Sequence, residues 1–252
     1  MPVMKRVVLP NCPHHVIQRG HNKRDIFFGD ADRTYYLKNL REFKERFGCK
    51  VYSYCLMSNH VHMIVDPCDN TTALGLLMKR LAARQTRRVN RTEGGSGTLW
   101  DSRYRSSIIE TERYLPACSR YVEMNPVRAG IAGRPEGYRW SSYRSKTGLA
   151  RDEWLDEDPF YSSLGKTRRT REERYRLWVE RTSLDGEIDL IRKAVQRGQL
   201  TGGPDFVDQV CRKTGRHIKN RGRGRPGNRK INQIPMLENK SDTFSEGRLH
   251  EA

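Results

Sequence analysis

The sequence predicts an α+β fold: a ferredoxin-like (RRM-like) antiparallel sheet with helices packed on it, followed by a small helical C-terminal extension. Three observations lead there. Short runs of β-branched and aromatic residues end at Pro or Gly, amphipathic stretches with apolar residues every three or four positions lie between them, and the two kinds occur in the order strand, helix, strand, strand, helix, strand, helix.

The first strand is HHVIQR, residues 14–19, preceded by Pro10 and Pro13 and ended by Gly20. Between Asp30 and Phe47, Tyr36, Leu37, Leu40, Phe43 and Phe47 recur at helical spacing among charges, with Asp30 or Asp32 as cap and Gly48 as stop signal. CKVYSYCLMSNHVHMIVDP then gives two apolar runs separated by Ser58-Asn59, a hairpin whose second arm starts at His60 and ends before Pro67. A second helix runs from Thr72 to about Val89, with Leu74, Leu77, Met78 and Leu81 on one side and Lys79, Arg80, Arg84, Arg87 and Arg88 mostly on the other. After the flexible GGSG at 94–97, LWDSRYRSSIIE alternates as a strand, and residues 111–125 read as a helix whose start Pro116 restricts.

These elements fill residues 1–150, the expected catalytic domain. RDEWLDEDPF shifts the composition to acidic and Pro-punctuated, so residues 151–166 are expected as a linker. Residues 167–216 carry shorter helical segments around 167–184, 188–196 and 206–213, the helical extension, and residues 217–252 form a basic, Gly-rich tail without core-forming residues.

A formal net charge of +18, from 48 Lys and Arg against 30 Asp and Glu, makes a polyanion the expected partner. Most of the excess lies in residues 1–150, with 26 basic and 13 acidic side chains against 22 and 17 in the rest. Six cysteines without any C-x-x-C pair argue against a zinc ribbon or a disulfide framework, and fit a reducing cytoplasm. The N-terminus has no signal-peptide pattern, and no apolar run reaches the roughly 18 residues of a membrane span. The expectation is a soluble, cytoplasmic protein associated with DNA and not with membrane.

His60-Val61-His62 puts two imidazoles on one face of a strand, which aligns two ligands for one divalent metal. With no thiolate nearby, further ligands must come from another element, and a mixed nitrogen and oxygen set leaves room for water and a phosphate. In TERYLPACSRYVEMNPVRAG, Tyr121 and Asn125 are four residues apart and share a helical face, so a phenol and an amide oxygen can stand beside the same metal. Tyr104 and Tyr114 are rival phenols, neither with an amide four residues on.

PHHVIQRG, YCLMSNHVHMIV and RYVEMNPVRAG resemble the REP-associated tyrosine transposases, a branch of the single-tyrosine HUH transposases of the insertion-sequence-200 type. The resemblance covers residues 1–150 and, less specifically, WLDEDPF, ERYRLWVE, IRKAVQRGQL and GRGRPG beyond them. It implies that His60 and His62 bind Mg or Mn, that Tyr121 is the nucleophile, and that Asn125 completes the metal shell where better-known relatives carry glutamine. It implies a substrate of single-stranded or hairpin (REP-like) DNA, cut through a 5′-phosphotyrosine without a nucleotide cofactor. It also suggests that His14, His15, Arg19 and Asn22 read bases at a hairpin foot.

Trp100, Arg103 and Arg105 alternate aromatic and basic character, the combination for base stacking and phosphate contact, with a core position for Trp100 as the alternative. Arg223-Gly224-Arg225-Pro226 looks like an AT-hook core for a narrow minor groove, or else part of a nonspecific basic tail. Two other functions compete with strand transfer: a catalytically silent nucleic-acid-binding regulator on the same fold, and a hydrolytic nuclease with no covalent step. The sequence leaves monomer and homodimer equally open.

Overall fold

The computed structural model describes residues 6–181 and 185–216, all within one compact unit spanning Met1–Asn220. The predicted α+β architecture is present. β1 (His14–Arg19), α1 (Asp30–Phe47), β2 (Lys50–Leu56), β3 (His60–Asp66), α2 (Ala73–Thr92), β4 (Arg105–Ile108) and α3 (Thr111–Glu123) follow in the expected order. The four strands form one antiparallel sheet in the order β2-β3-β1-β4, the ferredoxin-like arrangement. β1 and β3 are its two central strands, and β2 and β3 carry the longest buried runs, six residues each.

Side-chain alternation divides the core between the two faces of this sheet. Val16, Tyr54, Leu56, Val61, Met63 and Val65 face α1 and α2, packing with Tyr36, Leu40, Phe43, Leu74, Leu77 and Leu81. Tyr52, Cys55 and Ile64 face α3, meeting Leu115, Cys118, Tyr121 and Val122. The alternate residues His15, Ile17, Arg19, His60 and His62 lie on this second face, so the parity of two strands sets where the histidines point.

Two local expectations change. In LWDSRYRSSIIE only Arg105–Ile108 pairs as a strand; Trp100 makes an isolated bridge to Gly20, and the chain between them leaves the sheet edge. The helix expected over 111–125 ends at Glu123, and a separate turn, α4 (Asn125–Arg128), follows. Pro126 is the cause: it has no N–H for the Val122 carbonyl four residues back, so the ladder cannot continue through it. Pro116 sits inside α3, which nevertheless begins upstream of it at Thr111.

The acidic segment is not a free linker, and the boundary expected at 151 falls inside the compact unit. α5 (Tyr143–Lys146) and α6 (Pro159–Ser163) flank this segment. Trp154 stacks on Tyr54 with ring centroids 5.6 Å apart, Asp152 accepts from the Tyr54 hydroxyl at 2.6 Å, and Asp156 accepts from the Val51 N–H at 2.7 Å. Its acids answer donors in the domain rather than keeping a spacer solvated. The extension follows as α7 (Arg168–Glu180), α8 (Asp185–Arg197) and α9 (Pro204–Thr214). α8 packs on β4, β1 and α3, and Thr201 bridges Ile109, covering the edge that β4 would otherwise expose.

A buried ionic cluster joins these parts. Glu123, at the end of α3, is fully buried and accepts from the Ser142 hydroxyl and the Tyr175 hydroxyl, each at 2.7 Å. The Lys146 ammonium lies 3.7 Å from Glu123 and 3.1 Å from Asp158, and donates to the Ser53 hydroxyl at 2.9 Å. Burial pulls against the Lys146 charge, but Asp158 and Glu123 outweigh it and hold the ammonium above its ordinary value. Lys146→Met leaves two buried carboxylates without their cation and is expected to destabilise the fold by about 3–5 kcal/mol, read from urea unfolding. A change below about 1 kcal/mol would show that the cluster is not a structural anchor.

Candidate active site

The site is assembled on the α3 face of the sheet, where β3 presents His60 and His62 and α3 presents Tyr121. The His60 and His62 rings lie 5.1 Å apart, and the Tyr121 ring meets His62 edge-on with centroids 5.9 Å apart. His15, from β1, completes the group: its ring is 5.1 Å from His62 and 5.5 Å from Tyr121. Tyr121 is the tyrosine whose ring packs on this cluster. Tyr104 belongs to the core under α1 and α2, with Arg6 over its ring, and Tyr114 packs at the side of α3 with Arg113 over its ring.

Hydrogen bonding orients both imidazoles. His60 Nδ1 donates to Asn59 Oδ1 at 2.5 Å, and His62 Nδ1 is 2.9 Å from His15 Nε2. Each of the pair therefore has Nδ1 engaged, leaving Nε2 as the nitrogen available to a ligand. Burial pushes His60 down to about 4 and His15 down to about 3, with Arg19 adding to the first and Arg128 to the second. His62 is lowered by the same burial and by the positive neighbours around it. The rings are thus neutral near pH 7, the form in which imidazole binds a metal.

Asn125 does more than the sequence showed. Its Nδ2 donates to the Tyr121 carbonyl at 3.0 Å and the Val122 carbonyl at 3.1 Å, so it caps the helix end that Pro126 leaves open. Oδ1 is then the amide atom left to coordinate. Among the described residues no group of three or more His, Cys, Asp and Glu side chains is placed to hold a metal, so an amide or non-protein oxygen has to complete any site on the His pair. Two imidazole nitrogens with an oxygen fit a divalent cation that keeps open positions.

Arg128 is a site residue that the sequence reading missed. Its guanidinium lies over the Tyr121 ring, 4.1 Å from the centroid, and Nη2 donates to the Tyr121 carbonyl at 2.6 Å. The only sequence signal was its spacing, seven residues or two helical turns after Tyr121, which the break at Met124 obscures.

The residues expected to contact DNA separate into two groups. His14 and His15 are fully buried; His14 Nδ1 donates to the Cys12 carbonyl at 2.7 Å, and His15 faces the site rather than solvent. Trp100 is a core residue whose indole donates to the Ala82 carbonyl at 3.1 Å, the alternative considered for it. Arg19 and Asn22 are exposed, as are Arg103 and Arg105, and Arg19, Arg103 and Arg105 line one groove with Ile17 and Gln196. Arg223 and Arg225 lie outside the described residues. Among the described residues no helix is long and apolar enough to cross a membrane.

Residues 8–125 match the family model described as transposase IS200-like. A Haemophilus influenzae protein assigned as a REP-associated tyrosine transposase is 20% identical over 134 residues, which cover 47% of this chain and 76% of that protein. The solved structure of a REP-associated tyrosine transposase bound to a REP hairpin aligns with 62% of this chain and 93% of its own, at 14% identity and a TM-score of 0.47.

Burial of neutral histidines gives a testable dependence on acid. His14 is pushed down from 6.5 to about 4 by burial, so its contribution to stability is fully present above pH 6.5 and is lost as the pH falls towards 4. His14→Asn keeps a donor for the Cys12 carbonyl, and is expected to reduce the acid-dependent loss by up to about 1.4 kcal/mol per pH unit in that window. Urea midpoints measured from pH 7 to 4.5 test this, and parallel curves for the two proteins would count against it.

Proposed function

We propose, from the premise that residues 8–125 are an IS200-like transposase domain, that this chain nicks and rejoins single-stranded DNA at hairpin-forming, REP-like elements, with Tyr121 as nucleophile. The observation that carries the reading is the packing of the Tyr121 ring on His62 and His15, beside the His60-His62 pair and within the matched span. REP-like DNA as the substrate rests on the Haemophilus influenzae relative.

His60 and His62, through Nε2, and Asn125, through Oδ1, would hold the divalent cation, Mg or Mn. Such a cation supplies Lewis-acid polarisation of a phosphodiester oxygen at neutral pH. Arg19 and Arg128 bring positive charge to the same end of the sheet, where a phosphate is drawn in and its negative charge balanced. The Tyr121 phenolic oxygen, having lost its proton, forms a bond to phosphorus as the bond from phosphorus to the 3′-oxygen breaks. The 3′-oxygen leaves with a proton as a free hydroxyl, and the 5′ end stays on the protein as a phosphotyrosine. The linkage retains a phosphodiester, so attack by another 3′-hydroxyl reverses the step and joins strands without a nucleotide cofactor.

Burial of the cluster between sheet and helix serves this chemistry by fixing the nucleophile. Arg128 on the ring face and the capped helix end restrict how far the phenol can move, so the nucleophile is placed before substrate arrives.

Tyr121→Phe removes one oxygen and keeps the ring packing, so it is expected to bind a labelled REP-like hairpin as the wild type does and form no covalent adduct. His60→Ala and His62→Ala should each lose metal-supported cleavage, followed over an Mn titration. Cleavage that survives in Tyr121→Phe without a protein-linked product would establish hydrolysis instead. A wild-type protein that binds the hairpin but forms no adduct with any divalent cation would establish a silent regulator.

The segment 217–252, in which the AT-hook-like Arg223 and Arg225 fall, contains none of the proposed catalytic residues. Its deletion is expected to weaken DNA binding and to reduce the slope of log affinity against log salt by about 0.7–0.9 per lost phosphate contact, with cleavage at saturation retained. Identical salt slopes would show that the tail does not touch phosphates.

A further inference from the structure

We propose that His15 is a positioning residue for the metal site: it accepts the His62 Nδ1 hydrogen and so fixes His62 in the tautomer whose Nε2 can bind a cation. This rests on the reading above, in which His60 and His62 hold the cation.

The two rings share a single hydrogen between His62 Nδ1 and His15 Nε2, 2.9 Å apart. If His62 donates, its Nε2 keeps a lone pair and can coordinate. If His15 donates, His62 carries its hydrogen on Nε2 and cannot. Asn59 settles the equivalent choice for His60 with an oxygen that can only accept. Among the described residues no carboxylate or carbonyl does this for His62, whose Nδ1 is hydrogen-bonded to His15.

Position excludes other roles for His15. It is fully buried on a central strand, so its ring is not on the DNA-facing surface. Its Nε2 is engaged by His62, and when that nitrogen accepts, the one hydrogen of the neutral ring sits on Nδ1, which has no hydrogen-bond partner among the described residues, so neither nitrogen keeps a free lone pair for the same ion. The chain thus uses a histidine where metal sites commonly use a carboxylate or carbonyl behind the ligand ring. A neutral partner keeps the ligand shell free of another negative charge.

Two substitutions separate an acceptor from a space-filler. His15→Gln places an amide oxygen where Nε2 stood, whereas His15→Met fills similar volume without an acceptor of that strength. Mn affinity of the full-length, DNA-free protein, measured by EPR titration, is expected to fall about 10- to 100-fold in His15→Met and to stay within about threefold of wild type in His15→Gln. On wild-type protein loaded with diamagnetic Mg, long-range proton–nitrogen NMR should find the His62 hydrogen on Nδ1, a readout that does not depend on either variant folding. Equal affinities for wild type and His15→Met, equal losses in both variants, or a His62 hydrogen on Nε2 in the Mg-loaded protein would each overturn the assignment. Failure of the underlying reading looks different: Mn binding by the wild type that is unaffected by His60→Ala and His62→Ala would place the cation elsewhere.

Discussion

The buried ionic cluster of Glu123, Lys146 and Asp158 is the constraint that the other parts share. Taking three charges out of water is unfavourable unless each finds its partners, and here Ser53, Ser142 and Tyr175 supply the remaining hydrogen bonds. The partners come from β2, from α5 and α7 and from the residues that cap α5 and α6, so satisfying the cluster at the end of α3 brings these elements together. Glu123 and Tyr121 project from roughly opposite sides of α3, two residues being about 200° of turn at 3.6 residues per turn. Locking Glu123 on one side therefore sets how the phenol on the other meets the sheet. The extension is part of the apparatus that holds Tyr121, the nucleophile proposed above.

The sheet was legible in the sequence because its signals are local. Alternation in β1 and β3 and helical periodicity in α1 and α2 are read within a dozen residues, and they gave the element order directly. The His60-His62 pair was legible for the same reason, since strand parity alone puts both rings on one face. Tyr121 and Asn125 were paired by a spacing of four on one helix; the structure brings Tyr121 to the histidines and ends that helix before Asn125.

What the sequence hid depends on contacts far apart in the chain. Asp152 and Asp156 looked like solvated linker acids, yet their partners Tyr54 and Val51 lie about a hundred residues upstream. His14 and His15 looked like surface residues beside a loop. They are buried because β1 occupies a central place in the sheet, a fact of topology that no local pattern records. Arg128 was hidden by a discontinuity instead: across an unbroken helix its two-turn spacing from Tyr121 would have been conspicuous, and Pro126 breaks the count.

The break after Glu123 also limits how this sequence can drift. Pro126 offers the Val122 carbonyl no N–H, and Asn125 answers it twice, with its backbone N–H and with its side-chain amide, so the two neighbours act together at the helix end. Replacing the proline alone would offer Val122 the helical donor four residues on and release the Asn125 amide, allowing the side chain to turn. Replacing the asparagine alone would leave that carbonyl without its amide. Positions 125 and 126 are therefore expected to change as a unit across descendants of this gene, with a longer amide tolerated where the cap is supplied in another way.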